Sequence, residues 1–408
     1  MPVLEQETAH LRRWRDLWGD AYAQSPPPRD PSLNVAGWAS SYTGKAIREA
    51  EMKDWVEGTV ERLAALSPRR VLEIGCGTGM LLLRLAPRVA EYVAVDFSAE
   101  ALEYVRGRLD AEGLDNVTLV QGTADDLAGI GGGFDLVILN SVVQYFPSLD
   151  YLLRVLRGAA ERVAHGGRIF LGDLRSLPHL AAFHASVQLR QADEAMTLGE
   201  LRDRVATAVR QERELTLHPA LFASISRLLP EVGRVEIQLK RGRARNEMTR
   251  FRYDAVLYLS DPIPPAPSTP LPVRRLAWGE PDAAPAPLGR LLAAEALPAV
   301  DVLRVPNPRL TAEMEALDRL RSAEAPRTVA ELLQSLRGAR PSGVEPEEYW
   351  ALEKDLPYRV RIGWSAGEDG CYDVRLRHRE STGGEPLDMQ EIDPALWANS
   401  PLDEGGQT

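Results

Sequence analysis

The sequence predicts an α/β chain built on a mostly parallel central sheet, with a helical segment before it and an α+β region after it. Three observations predict this. A strand-forming run at 71–74 stops at the glycines of Gly75-Cys76-Gly77-Thr78-Gly79, and apolar helical sequence opens at Met80. Further apolar runs recur at 92–96, 116–120, 134–140 and 167–173, separated by helix-length segments, which is the alternation of a βαβ chain. The run at 134–140 is almost continuously apolar, as a parallel strand covered on both faces has to be.

The first strand and its exit loop carry the chemistry. Glycine permits a tight turn after a strand and lets a ligand approach the backbone closely. Asp96 ends the second strand, about 20 residues beyond the glycines, at the offset of a carboxylate that grips ribose hydroxyls. The loop alone fits NAD, FAD or S-adenosylmethionine. Glu73 decides among them, because an acid at the end of the first strand repels a pyrophosphate and suits a cationic ligand. The last glycine of GxGxxG is also missing, since Met80 stands there. S-adenosylmethionine, leaving as S-adenosylhomocysteine, is therefore the expected cofactor, and the chain reads as a Rossmann-like class I methyltransferase.

The later units add contacts. In methyltransferases an acidic residue in the loop after the third strand bonds the adenine amino group. Asp125 is favoured for this and Asp126 is the alternative, with Phe97 and Ala124 beside them. Asn140 and Ser141 leave the fourth strand where open α/β sheets place ligands, and are expected to contact the methionine portion of the cofactor, the alternative being that they fix the loop. The cofactor set is then Tyr42, Glu73, Gly75, Gly77, Gly79, Asp96, Phe97, Ala124, Asp125, Asn140 and Ser141. No metal is expected.

With 48 Lys and Arg against 59 Asp and Glu, the formal net charge is −11, which argues against a general nucleic-acid surface. Two cysteines, Cys76 and Cys371, make no metal cluster by themselves and suit a reduced, cytoplasmic setting. No apolar run is long enough to cross a bilayer, so no membrane partner is expected. The expected organisation is a helical lid segment at 1–65, a cofactor-binding core at 66–260, and an accessory region at 261–408 beyond a proline-rich linker at 261–267. In that region helices are predicted near 288–295, 311–321 and 328–336. A hairpin is predicted from 358–364 and 371–376, turning at Glu368-Asp369-Gly370.

Several strings are less generic than the glycine loop. They are Trp38-Ala39-Ser40-Ser41-Tyr42-Thr43-Gly44, Asn140-Ser141-Val142-Val143-Gln144-Tyr145-Phe146, Phe183-His184-Ala185-Ser186-Val187-Gln188-Leu189, Lys240-Arg241-Gly242, and Asn246-Glu247-Met248-Thr249-Arg250-Phe251-Arg252-Tyr253-Asp254. Together they resemble the methyltransferase domains of non-ribosomal peptide synthetases. The resemblance runs from about residue 14 to the predicted hairpin. It implies N-methylation of the α-amine of an aminoacyl thioester held on a phosphopantetheine carrier protein, with an adenylation domain as a further partner. Beginning at Met1 and ending in a polar segment at 403–408, the chain reads either as an excised domain or as a free-standing relative. The rival expectations are O- or C-methylation of a small natural-product intermediate, or a catalytically silent docking scaffold.

Methyl transfer needs an aligned acceptor with a free lone pair. His184 and Glu247 are the candidate bases, expected to act as a pair. Their structural alternatives are a helix histidine bonded to a carbonyl, and an ion pair of Glu247 with Arg245 or Arg250. Tyr145 is the third catalytic candidate, as an aromatic rim for the sulfonium. Gln144, Asp173 and Arg175 are the substrate-binding candidates, a mutual Asp173–Arg175 bridge being the alternative for the last two. The basic string at 240–243 is read either as a contact for the carrier's phosphate or an acidic carrier helix, or as a solvated charge run.

Overall fold

A computed structural model of the chain describes residues 2–26, 28–259, 271–322, 327–337, 342–365, 370–381 and 391–402. The first sheet holds β1 (Arg70–Ile74), β2 (Glu91–Asp96), β3 (Val117–Gln121), β4 (Phe134–Asn140), β5 (Val163–Arg175), β6 (Val232–Leu239) and β7 (Arg252–Leu259). Its order is β3-β2-β1-β4-β5-β7-β6. The first five strands run parallel, and β7 is antiparallel to both β5 and β6. Chain direction across the sheet reverses at β1, so a crevice opens between the ends of β1 and β4, where such sheets bind ligands.

The helices before and within this sheet are α1 (Pro2–Gln24), α2 (Glu49–Ala64), the single turn α3 (Leu82–Leu85), α4 (Ala99–Glu112), α5 (Leu149–Ala160), α6 (Leu180–Gln191), α7 (Leu198–Arg210), the short α8 (Ile225–Leu228) and α9 (Glu247–Phe251). Alternation along each strand feeds two cores. Leu72, Ile74, Val137 and Leu139 point to one, and Val71, Leu136 and Ile138 point to the other, as the two-residue period of a strand requires. Each such fully buried side chain contributes about 1.5–3 kcal/mol of transfer free energy.

A second sheet, ordered β10-β11-β9-β8, follows: β8 (Arg274–Ala277), β9 (Ala299–Pro306), β10 (Tyr358–Trp364) and β11 (Cys371–His378). The predicted hairpin is its β10–β11 pair. The predicted helices are α10 (Pro285–Glu295), α11 (Thr311–Arg321) and α12 (Val329–Leu336). Helices α11 and α12 share one apolar cluster with α6 and α7, through Ala182, Ala185, Leu201, Leu317 and Leu332. Residues 397–399 reach back to pair with 216–218.

Some boundaries differ from expectation. Helix does not open at Met80. Gly79 sits at φ +77° with Val105 3.0 Å from where a Cβ would be, so the turn persists and α3 covers only Leu82–Leu85. The third strand is shifted one residue, and the fifth starts earlier, at Val163. Trp350 belongs to the core of the second sheet, with Trp278 packed against it. Trp364 packs on the main core, stacked 4.6 Å from His179. The linker at 261–267, the turn residues Glu368 and Asp369, and the end at 403–408 lie outside the described residues.

Candidate active site

The crevice at the ends of β1 and β4 holds two adjoining cavities of about 670 and about 410 Å³, a size proper to cofactor sites. Gly75 and Gly77 line it at φ +80° and +50°, while Gly79, at φ +77°, is off the wall and packs against Val105 and Leu83. These are left-handed conformations that a side chain resists. Space is short as well: a Cβ on Gly75 would lie 2.7 Å from Val142 Cγ2. The larger cavity is lined by Glu73, Asp96, Asn140 and Ser141, and by six aromatic rings, those of Trp18, Tyr22, Trp38, Trp55, Phe97 and Tyr145. The smaller, mostly apolar one runs between Phe97, Ala124, Leu11 and Trp14.

Two carboxylates stand at the wall. Asp96 accepts from the backbone N–H of Gly77 at 2.7 Å and of Ser98 at 2.9 Å. Burial still carries its pKa above the ordinary value, against those bonds. Glu73 is 2% exposed and accepts from Tyr92 Oη at 2.7 Å. Burial foremost, with the charge of Asp96 adding and the Tyr92 bond opposing, pushes it up to about 8. Asn140 Oδ1 is buried with no hydrogen-bond partner among the described residues. A glycine cradle, two carboxylates, an aromatic wall and an orphaned acceptor fit an adenosyl sulfonium.

Helix α1 supplies what sequence reasoning missed. Trp14, Trp18 and Tyr22 recur every four residues and lie on one face of the helix. Trp14 and Trp18 pack 4.6 and 5.6 Å from Tyr145. That four-residue spacing was the available signal. Of the string at 38–44, Trp38 is on the cavity wall, against Trp55 at 4.8 Å. Tyr42 is not among the lining residues, and its hydroxyl meets Ser186 Oγ at 3.0 Å. Asp125 is likewise off the wall: it is exposed, and takes Tyr151 Oη at 2.7 Å and Thr123 Oγ1 at 2.8 Å.

The catalytic candidates part company. His184 Nε2 lies 3.0 Å from Glu212 Oε2, a partner the sequence did not suggest. Glu247 instead accepts from Ser41 N at 3.1 Å, Ser41 Oγ at 3.0 Å and Ser40 Oγ at 3.4 Å. The expected His184–Glu247 pair is thus replaced by two separate contacts. Arg245 and Arg250, the ion-pair alternatives for Glu247, bind Glu345 and Glu313. Burial keeps the Tyr145 phenol protonated, with its pKa raised and the charge of Glu214 adding.

The substrate-binding candidates are occupied by protein. Asp173, at φ +65° and fully buried, takes Arg252, Ser141 Oγ and Trp55 Nε1 (3.1 Å), with Lys240 Nζ at 3.5 Å. Burial would raise it, but Arg252 and Lys240 outweigh that and hold it down to about 2. Arg175 binds Glu212 at 2.9 Å and Glu214 at 3.0 Å rather than Asp173. Gln144 accepts Leu215 N on its carbonyl, and its buried Oε1 has no partner among the described residues. Of the string at 240–243, Lys240 is not solvated and Arg241 is paired. Lys240 is 2% exposed on Asp254 and Asp173, and Arg241 binds Glu347.

Residues 71–167 match a methyltransferase-domain family. With the sheet order and the cofactor cleft above, this chain is an S-adenosylmethionine-dependent class I methyltransferase. In sequence it is similar to stretches of non-ribosomal peptide synthetases. It is 42% identical over 97% of its length to the chondramide synthase CmdD of Chondromyces crocatus, of which it spans 10%. It is 40% identical over 74% of its length to a probable non-canonical nonribosomal peptide synthetase, CymA of Salinispora arenicola, of which it spans 4%. A solved structure, the N-methyltransferase NodS from Bradyrhizobium japonicum with S-adenosylhomocysteine, is similar at 16% identity and TM-score 0.33, over 50% of this chain and 86% of that one. No helix among the described residues is long and apolar enough to cross a membrane. No group of three or more His, Cys, Asp or Glu among them is placed to hold a metal.

Proposed function

We propose that the chain methylates the α-amine of an aminoacyl thioester presented on a carrier protein. The observation that carries this reading is the His184–Glu212 contact, although neither residue lines the two cavities. Glu212 belongs to a segment tied to the cleft rim, since Leu215 N donates to Gln144 O at 2.8 Å. Burial would raise its pKa, but the His184 bond and the charge of Arg175 hold it down to about 2. An ionised carboxylate only accepts hydrogen bonds. Nε2 of His184 therefore carries its hydrogen, and Nδ1 is the ring nitrogen left to exchange a proton with the acceptor.

S-adenosylmethionine supplies, when bound, a methyl whose C–S bond electrons leave with sulfur as a neutral thioether. Glu73 and Asp96 hold the charged and ribose portions, and the ring of Tyr145 closes the wall beside the acceptor. The acceptor enters as an ammonium. His184 Nδ1 takes one proton from it and passes that proton to solvent, leaving the nitrogen lone pair aligned. A second proton leaves the nitrogen once the new N–C bond has formed.

The test is to load an aminoacyl carrier protein, add the cofactor, and locate the added 14 mass units by fragmentation. Methyl on the α-nitrogen supports the reading. Methyl on a side-chain oxygen or carbon replaces it with O- or C-methylation.

A further inference from the structure

We propose that Arg252 holds the acyl carbonyl oxygen of the acceptor, through the guanidinium N–H groups that Asp173 leaves free. This rests on the amine-methylation reading and names what fixes the acceptor on the side away from its nitrogen.

The argument starts from a charge count. Behind the cleft, Asp173 and Asp254 face three cations, Arg62, Lys240 and Arg252. Arg62 binds Asp254 and also donates to Leu239 O at 3.0 Å. Lys240 Nζ reaches both carboxylates, at 2.9 and 3.5 Å. Those two side chains are 8% and 2% exposed. Arg252 is the open member at 15%. One of its nitrogens, Nη1, donates to Asp173 Oδ2. The rest of its fork has no hydrogen-bond partner among the described residues. Within this buried cluster Arg252 is the member whose N–H groups are left over.

Position matches chemistry. Arg252 opens β7, directly after the helix that begins with Glu247. It shares Asp173 Oδ2 with Ser141 Oγ, and Ser141 lines the cofactor cleft. Its guanidinium lies within electrostatic reach of Tyr145, Glu214 and Glu247. The other arginine of this end, Arg175, is already spent on two carboxylates. A thioester carbonyl oxygen is a planar acceptor, and a guanidinium edge meets it with directed N–H groups. Gripping that oxygen leaves the α-nitrogen, one carbon further along, free to turn toward the methyl.

The experiment compares two acceptors on the same carrier protein: the aminoacyl thioester, and an aminoalkyl thioether with CH₂ in place of C=O. In Arg252→Gln the KM for the thioester should rise about tenfold or more, the loss expected for one charge-assisted hydrogen bond. Its KM for the thioether should match that of the wild type, and its cofactor Kd should not move. Arg252→Lys, which keeps a charge on Asp173 without the fork, is carried through the same comparison and should show the same split. Equal losses on both acceptors, or none on either, overturn the proposal. A wild-type enzyme that leaves the α-amine unmethylated overturns the amine reading itself, and this inference with it.

Discussion

Asn399, from the far end of the chain, spans Glu214 and Thr216. Its Nδ2 donates to Glu214 O at 3.0 Å, and its Oδ1 accepts from Thr216 N at 2.8 Å. The segment it clamps also carries Glu212. Asn399→Ala should therefore lower turnover about tenfold, at about 1 kcal/mol per lost bond, and leave the cofactor Kd unchanged. Titration calorimetry and steady-state rates check this, and an unaltered turnover would remove Asn399 from the positioning set.

The Glu212–His184 contact makes a graded prediction. His184→Ala should lose about 10²-fold or more in turnover, as for a lost general base, while still binding cofactor. Glu212→Gln keeps an acceptor for Nε2–H but removes the charge, and should fall in between. If His184→Ala turns over as fast as the wild type at every pH, His184 is not the base.

Glu247 should behave differently. Its carboxylate ties Ser40 and Ser41, two residues beyond Trp38 on the cofactor wall. Glu247→Ala should weaken cofactor binding severalfold and cost about 1 kcal/mol of stability through its lost hydrogen bonds. A full-strength Kd with abolished turnover would return Glu247 to the catalytic list.

Glu73 links cofactor affinity to pH. Its pKa of about 8 in the free protein means that it is mostly protonated at neutrality, whereas a cationic ligand favours the ionised form. Affinity should rise by about an order of magnitude between pH 6.5 and 8.5, with proton release visible in buffers of different ionisation enthalpy. Glu73→Gln should flatten the dependence. The sign for folding is opposite. A carboxyl raised in the folded state favours folding fully at low pH, and that contribution is lost as pH climbs from the ordinary glutamate value to about 8. Thermal melts of the wild type and Glu73→Gln should diverge over that window.

Much of the fold was legible in the chain because its signals are local. Apolar runs of strand length, glycines where the backbone must adopt positive φ, and an acid at the end of β2 each act within a few residues. They placed β1, β2, β4 and the loop at 75–79, and they pointed to a cationic adenosyl ligand through Glu73. The four-residue spacing of Trp14, Trp18 and Tyr22 was also written in the sequence, although it did not reveal which wall those rings would cover.

What only the tertiary structure decided is pairing between charges distant in sequence. His184 meets Glu212 rather than Glu247, Asp173 meets Arg252 and Lys240 rather than Arg175, and Lys240 is buried instead of solvated. Charged side chains are long, and each had several partners of suitable sign. Which one is met depends on how α6, β5, β7 and the returning C-terminal segment pack, and no local periodicity encodes that. The glycine loop and Glu73 determined the methyl donor from sequence alone. The partners of His184, Asp173 and Lys240 were decided only when strands and tail closed around them, because burial forces each charge to find a partner in three dimensions.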